Sequence, residues 1–194
     1  MNAANQTGTP QIQKAKRIVG KNLVFRDACA DDAAFILSLR TDSQKSKFLS
    51  STSPEMNKQT AWLEDYARKS DQAYFIIENR TGESLGCVRL YDPQGDSFCW
   101  GSWILKEGAP QSAAIESALI IYAYALDHLG FKQAHFDVRK GNESVWQFHE
   151  RFGAVRVAET EQDFLYKIKQ EAIFNARQRY KKFLSEPVVV ELTK

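Results

Sequence analysis

Cysteine is scarce in this chain. Its three residues, Cys29, Cys87 and Cys99, are odd in number, far apart and without any CxxC spacing. That speaks against a disulfide framework or a zinc site and suits reduced thiols in the cytoplasm. An excess of one charge is also missing: 26 Lys and Arg against 24 Asp and Glu leave a formal +2. This balance gives no argument for nucleic acid or a membrane surface as a partner. The longest apolar run, 113–126, contains Glu116 and is too short to span a bilayer. The first residues are polar and lack the apolar centre of a signal peptide. There is no internal repeat. No Ser–His–Asp order or metal-ligating cluster stands out, so no metal is expected.

What is present is an ordinary globular composition over 194 residues, enough for one domain with its own core. Residues 1–20 are polar and are expected to form a loose N-terminal segment. LVFRDA at 23–28 reads as a first strand. Asp31 or Asp32 can cap a helix through Arg40, with Phe35, Ile36 and Leu39 as its apolar stripe. Residues 41–54 are rich in Ser, Thr and Lys and read as a loop. Residues 57–69 read as a second helix, with Trp62 and Tyr66 one turn apart. Strands follow at 73–79, 85–91 and 97–105, joined by the turns RTGES and DPQGD. Residues 113–129 give the best helix, with Ile115, Leu119, Tyr122 and Leu126 on one face and Gly130 ending it.

A last core strand is read at 163–168, and 169–194 then add an amphipathic helix and a terminal strand at 186–192. That helix carries five cations, Lys169, Arg177, Arg179, Lys181 and Lys182. They are either a solvated face over a packed one, or a homodimer contact or clamp on an anionic substrate. Strands with helices interposed in this order argue an α/β (α+β) fold, a mixed central sheet covered by helices on both faces.

The stretch 131–154, FKQAHFDVRKGNESVWQFHERFGA, is the most informative. A short strand over 133–138 puts Phe136 and Val138 on one face and His135 and Asp137 on the other. Asn142 suits a helix N-cap, its side-chain oxygen accepting from the next turn's amides. Val145, Phe148, His149 and Phe152 keep the spacing of a buried helical stripe. Gly153 stands where a left-handed C-cap is wanted. This strand–Asn–helix–Gly unit resembles the second half of the acyl-CoA site in the GNAT (Gcn5-related) N-acetyltransferases. Asn142, Phe148 and Gly153 match that pattern; His149 stands where the family usually has Tyr, and Ala154 where it usually has Phe. The order of elements over 23–168 is also that of the GNAT fold. The FHERFG ending resembles members that acetylate nucleotide-linked amino sugars.

The resemblance implies acetyl-CoA as co-substrate. Its pyrophosphate would lie on amides at the start of the long helix, an anion site by dipole and by unpaired N–H groups. Two registers are open in KEGAPQSAAIESAL. If Gln111 takes the family's first place, Ala114 and Glu116 stand for its glycines; if Glu116 matches a Glu inside the helix, the cradle is Ala109, Ser112 and Ala114. Either way Ser112, Ala113 and Ala114 are small, and Glu116 is expected to point away from phosphate. The strand SFCWGSWIL would lay the backbone of Trp103, Ile104, Leu105 and Lys106 along the pantetheine arm, as an added strand. Trp100 and Trp103 have core packing as their other reading.

The implied reaction is attack of a neutral amine on a thioester, and free alkylamines titrate at about 10, so a base must take a proton. Asp137 and His135 are the candidates, because the strand SFCWGSWIL holds no carboxylate. His149 is the acid candidate, with a buried core histidine as its rival reading. Arg89, Trp100 and the loop 43–54 are placed to meet a phosphorylated or polar small-molecule amine. Protein amines, or a binding module of the same fold that has lost catalysis, are the other readings.

Overall fold

The computed structural model describes residues 8–42, 48 and 52–193. Most of the loop 43–54 thus lies outside the described residues. The described residues form nine strands and five α-helices: β1 (Ala15–Val19), β2 (Leu23–Asp27), α1 (Ala33–Thr41), α2 (Met56–Arg68), β3 (Ala73–Asn79), β4 (Ser84–Gln94) and β5 (Ser97–Leu105) come first. Then follow α3 (Ser112–Ala123), β6 (Gln133–Arg139), α4 (Glu143–Phe152), β7 (Val155–Glu159), β8 (Asp163–Lys169), α5 (Gln170–Arg179) and β9 (Val189–Leu192). The strands make one sheet in the order β7-β8-β6-β5-β4-β3-β2-β1-β9. Only β5 and β6 pair in parallel; the other neighbours are antiparallel. The expected mixed sheet is therefore present.

Its two faces are both covered. Ile36 and Leu39 of α1 and Leu63 and Tyr66 of α2 pack with Tyr74, Ile76 and Ile104 of the sheet. On the opposite face α3, α4 and α5 contribute Leu119, Tyr122, Phe152 and Ile173 to a larger core. Alternation along β3 serves both: Phe75 and Ile77 point to one core, Tyr74 and Ile76 to the other.

One expectation about the ends of the domain is corrected. The loose N-terminus does not extend to residue 20. β1 pairs with β2, Ile12, Ala15 and Ile18 are buried, and Tyr124 donates to the Gln13 carbonyl at 2.6 Å. The C-terminal helix and strand are present as α5 and β9 and join the main fold: Ile173, Ala176 and Val188 are buried in the main core, and β9 pairs with β1. Two of the helix's five cations are committed inside the fold, Arg177 to Asp127 at 2.6 Å and Arg179 to the Arg151 carbonyl at 2.9 Å. That favours the packed reading of α5.

Glu116 ties the β1–β2 hairpin to α3. Its side chain is fully buried and accepts from the Asn22 amide at 2.6 Å, the Leu23 amide at 2.9 Å and the Asn22 side chain at 3.0 Å. Gly20 makes this approach possible, since a Cβ there would lie 2.5 Å from Ile120 Cδ1 and 3.0 Å from Glu116 Oε1. α3 runs on into a π-helical turn, Tyr124–His128, so the single helix read at 113–129 changes pitch at Tyr124.

Candidate active site

β5 and β6 are hydrogen-bonded only where Ser97, Phe98 and Cys99 face Gln133, Ala134 and His135. Beyond those pairs β5 stays with β4 and β6 stays with β8. Between the diverging ends lies a cleft of about 210 Å³. Trp100, Trp103, Phe136 and Val138 wall it on the side of the larger core, with Asn142, Val145 and His149 closing it from α4. Ser102, Asp137 and Arg139 line it from alternate strand positions, hence from the other face of the sheet. The cleft thus passes through the sheet where the ladder is missing.

β5 is bulged at the same place. Cys87 faces Ile104 and Arg89 faces Gly101, so Ser102 and Trp103 together oppose one residue of β4. Ser102 has φ +48, rare for a residue with a side chain and a form of strain that clusters at functional sites. Ser102, Tyr91 and Arg139 were not singled out in the sequence. The Gly101 inside an otherwise strand-like run was the available signal for the bulge.

His149 lies on α4 with its ring 4.2 Å from that of Phe136, 5.1 Å from Trp100 and 5.8 Å from Phe148. It is 5 % exposed, and its Nδ1 is buried with no partner among the described residues. Burial lowers its pKa to about 3. Glu150, which could have raised it, instead accepts from Tyr166 at 2.8 Å and pairs with Arg156 at 3.1 Å. A protonated imidazolium as acid is therefore ruled against: the side chain is a neutral ring in an aromatic cage. The neutral form stabilises the fold fully above the unfolded value of about 6.5, and that contribution is lost as pH falls toward 3. Between pH 7 and 5 the wild type should lose about 2 kcal/mol more than His149→Phe. Urea melts of both proteins at the two pH values measure this; parallel losses would show a solvated His149.

Asn142 occupies the N-cap of α4, and Gly153 the left-handed C-cap at φ +101. Contrary to expectation, the Asn142 side chain makes no capping hydrogen bond; it lines the cleft instead. Trp100 is 3 % exposed, and its indole donates to the Tyr122 hydroxyl at 3.3 Å. It is a floor of the cleft rather than a polar contact for substrate. Trp103 donates to Ser117 Oγ at 3.1 Å, fixing the bulged strand to α3. The Ile104 side chain belongs to the opposite core, Leu105 is half-buried, and Lys106 pairs with Glu83 at 2.6 Å. Of these four residues Trp103 lines the cleft, and the β5–β6 ladder does not extend past Cys99.

At the start of α3, Gln111 is the N-cap and is exposed. Ala113 does not offer its amide, which donates to the Pro110 carbonyl at 2.8 Å. Ser112 and Ala114 remain as first-turn amides, a class with no intrahelical partner. Glu116 points away from them, to the hairpin, as expected. Of the two polar candidates on β6, Asp137 is exposed and lines the cleft. His135 does not reach it: the ring is held between Ser97 Oγ at 2.7 Å and Asp92 at 3.2 Å, where the strands are still paired.

Arg89 lies on the α1/α2 side, in a second cavity of about 310 Å³ that adjoins the cleft at Ser102. Its guanidinium lies 4.7 Å from the Tyr91 ring and 5.3 Å from that of Trp62. Among the described residues no His, Cys, Asp and Glu cluster could hold a metal, and no helix is long and apolar enough to cross a membrane.

A mixed sheet opened at one parallel pair, with a helix start beside the opening, matches the frame that the resemblance to the GNAT family implies. Comparison with known proteins agrees. The family model of the acetyltransferase (GNAT) domain matches residues 22–155, and the chain belongs to the GNAT acetyltransferase family. It is an N-acetyltransferase by this membership. FdhC, described as a nucleotide-linked sugar GNAT, is 32% identical; the match covers 91% of this chain and 99% of that one, with a TM-score of 0.76. A GCN5-related N-acetyltransferase from Brucella melitensis is 18% identical over 91% of this chain and 89% of that one, with a TM-score of 0.75. The spermidine/spermine N-acetyltransferase SpeG from Vibrio cholerae is 15% identical over 79% and 97%, with a TM-score of 0.66. The last two speak for the fold alone. No curated protein sequence gives a significant match.

Proposed function

We propose that this enzyme moves an acetyl group from acetyl-CoA to the amine of a nucleotide-linked amino sugar. The through-sheet cleft carries the reading, because it gives donor and acceptor separate faces that meet at one opening. The residues around it suit the donor. Past the end of the β5–β6 ladder, the stretch Trp103, Ile104, Leu105 and Lys106 would run along a peptide-like arm. Asn142 has a side-chain amide without a capping role, and His149 has a buried nitrogen without a partner. The Ser112 and Ala114 amides suit a pyrophosphate at the helix start. The buried position of Glu116 supports the register in which Ala109, Ser112 and Ala114 form that cradle.

Acetyl-CoA supplies the thioester, an activated acyl group with a good leaving thiolate. The protein's part is then positioning and proton removal. His149, neutral, can donate one N–H toward the departing sulfur without acting as a full acid. Asp137 takes the proton of the amine on the acceptor face. Tyr91 cannot, because burial pushes its phenol up.

The acceptor is read from the likeness to FdhC and from the cationic cavity next to the cleft. Thiol release from acetyl-CoA, measured with UDP- and dTDP-linked amino sugars, spermidine and a short peptide, tests it. The nucleotide-linked amino sugars should give the highest kcat/KM. Faster turnover of spermidine or peptide would move the acceptor class.

A further inference from the structure

The cavity beside the cleft is lined by Arg40, Lys58 and Arg89, together with Thr52, Trp62 and Ser102. Among the described residues no carboxylate lines it. Arg89 is half-buried, and its Nε is buried with no hydrogen-bond partner among the described residues. Its near contacts are aromatic faces; among the described residues no carboxylate reaches ion-pair distance, and Asp71 acts on it only from further off. A desolvated guanidinium without a counter-ion is costly, and it is kept where something else supplies the charge. Burial lowers the Arg89 pKa, with Arg40 adding to the effect. Arg40 is oriented by its bonds to Thr52 Oγ1 at 2.6 Å and Ser102 Oγ at 3.4 Å. Lys58 is an exposed cation at the rim, paired with exposed Glu55 at 2.8 Å.

We infer that Arg89, Arg40 and Lys58 form the seat for the diphosphate of a nucleoside-diphosphate-linked acceptor. This rests on the acceptor reading above and adds where the anion sits. Two phosphates match two guanidinium forks and one ammonium, and the carboxylate they would have to compete with is the exposed Glu55 on Lys58. Ser102 is common to this cavity and the cleft. A diphosphate held here therefore places the attached sugar across the bulge, with its amine toward Asp137. The same phosphate chemistry could come from coenzyme A itself, and the two sources differ in whether acetyl-CoA competes.

The test is calorimetric titration of UDP and dTDP into the enzyme, with and without saturating acetyl-CoA, using wild type, Arg89→Met and Lys58→Met. At least one nucleotide should bind the wild type equally well in the presence of acetyl-CoA. Arg89→Met should weaken it by about tenfold or more, and Lys58→Met by a smaller factor, with acetyl-CoA affinity within twofold of wild type in both. Lys58 is exposed, so its variant keeps the test alive if Arg89→Met fails to fold. Nucleotide displaced by acetyl-CoA would assign the phosphate chemistry to the coenzyme and overturn the proposal. Unchanged nucleotide affinity in folded variants that still acetylate a nucleotide-linked sugar would overturn this seat while leaving the acceptor reading intact. A wild type that neither binds nucleotide nor acetylates such a sugar would overturn both.

Discussion

Asp137→Asn should lower kcat by about 10²- to 10⁴-fold, the usual worth of a positioned general base. The substitution keeps the shape of the side chain and removes its capacity to take a proton. Asp137 is exposed and partly lines the cleft from the acceptor side. The other titratable side chains on the cleft walls are Tyr91, Arg139 and His149. Tyr91 is held protonated by burial, and His149 is held neutral near 3. Arg139 is bound to Gln162 and Asp163 on β8's side and carries no basic lone pair. The KM for acetyl-CoA should change little, because the loss falls on the transition state. Steady-state kinetics by thiol release, with the melting temperature alongside, measures this. A folded Asp137→Asn enzyme with kcat within threefold of wild type would return the proton to bulk water.

Glu116→Leu should destabilise the fold by about 2–5 kcal/mol, the range for leaving one buried and one part-buried amide without an acceptor. For a chain of this size that is a fall of roughly 5–15 °C in Tm. Asn22 and Leu23 both donate to Glu116 Oε1, while the Asn22 side chain donates to Oε2. Glu116→Gln keeps an acceptor oxygen for both amides and asks only that the Asn22 amide turn over, so it should recover most of the loss. Equal melting of Glu116→Leu and wild type would mean that the hairpin is held by its apolar contacts alone. The same carboxylate decides the register of the α3 start, because it is turned away from the residues proposed for phosphate.

Strong periodicity made most of the fold legible. The strand at 97–105, the stripe on α4 and the left-handed Gly153 are where the sequence places them. β1 was hidden because AKRIV follows a long polar run, and its pairing with β2 and β9 is not local. β7 is exposed along its whole length, so it has no inside–outside alternation to read. The site was legible only as a set of residues. The cleft exists because one parallel ladder stops at Cys99 and His135, and no residue type marks that stop. His149 shows the limit most clearly. Its stripe position signalled burial correctly, while the absence of any charge able to offset that burial depends on where Glu150 and Asp137 turn, which only the fold decides.

Calorimetric titration of acetyl-CoA into the wild type and Ala114→Asp tests the central assignment of the cleft and helix start most directly. The account predicts one site per chain in the wild type, and a rise in Tm worth about 2.7 kcal/mol at a hundredfold excess over Kd. Ala114→Asp should fold as well as wild type and bind much more weakly, because the new carboxylate would meet the pyrophosphate. Wild-type protein that takes up no acetyl-CoA at millimolar concentration, or a folded Ala114→Asp with equal affinity, would contradict it.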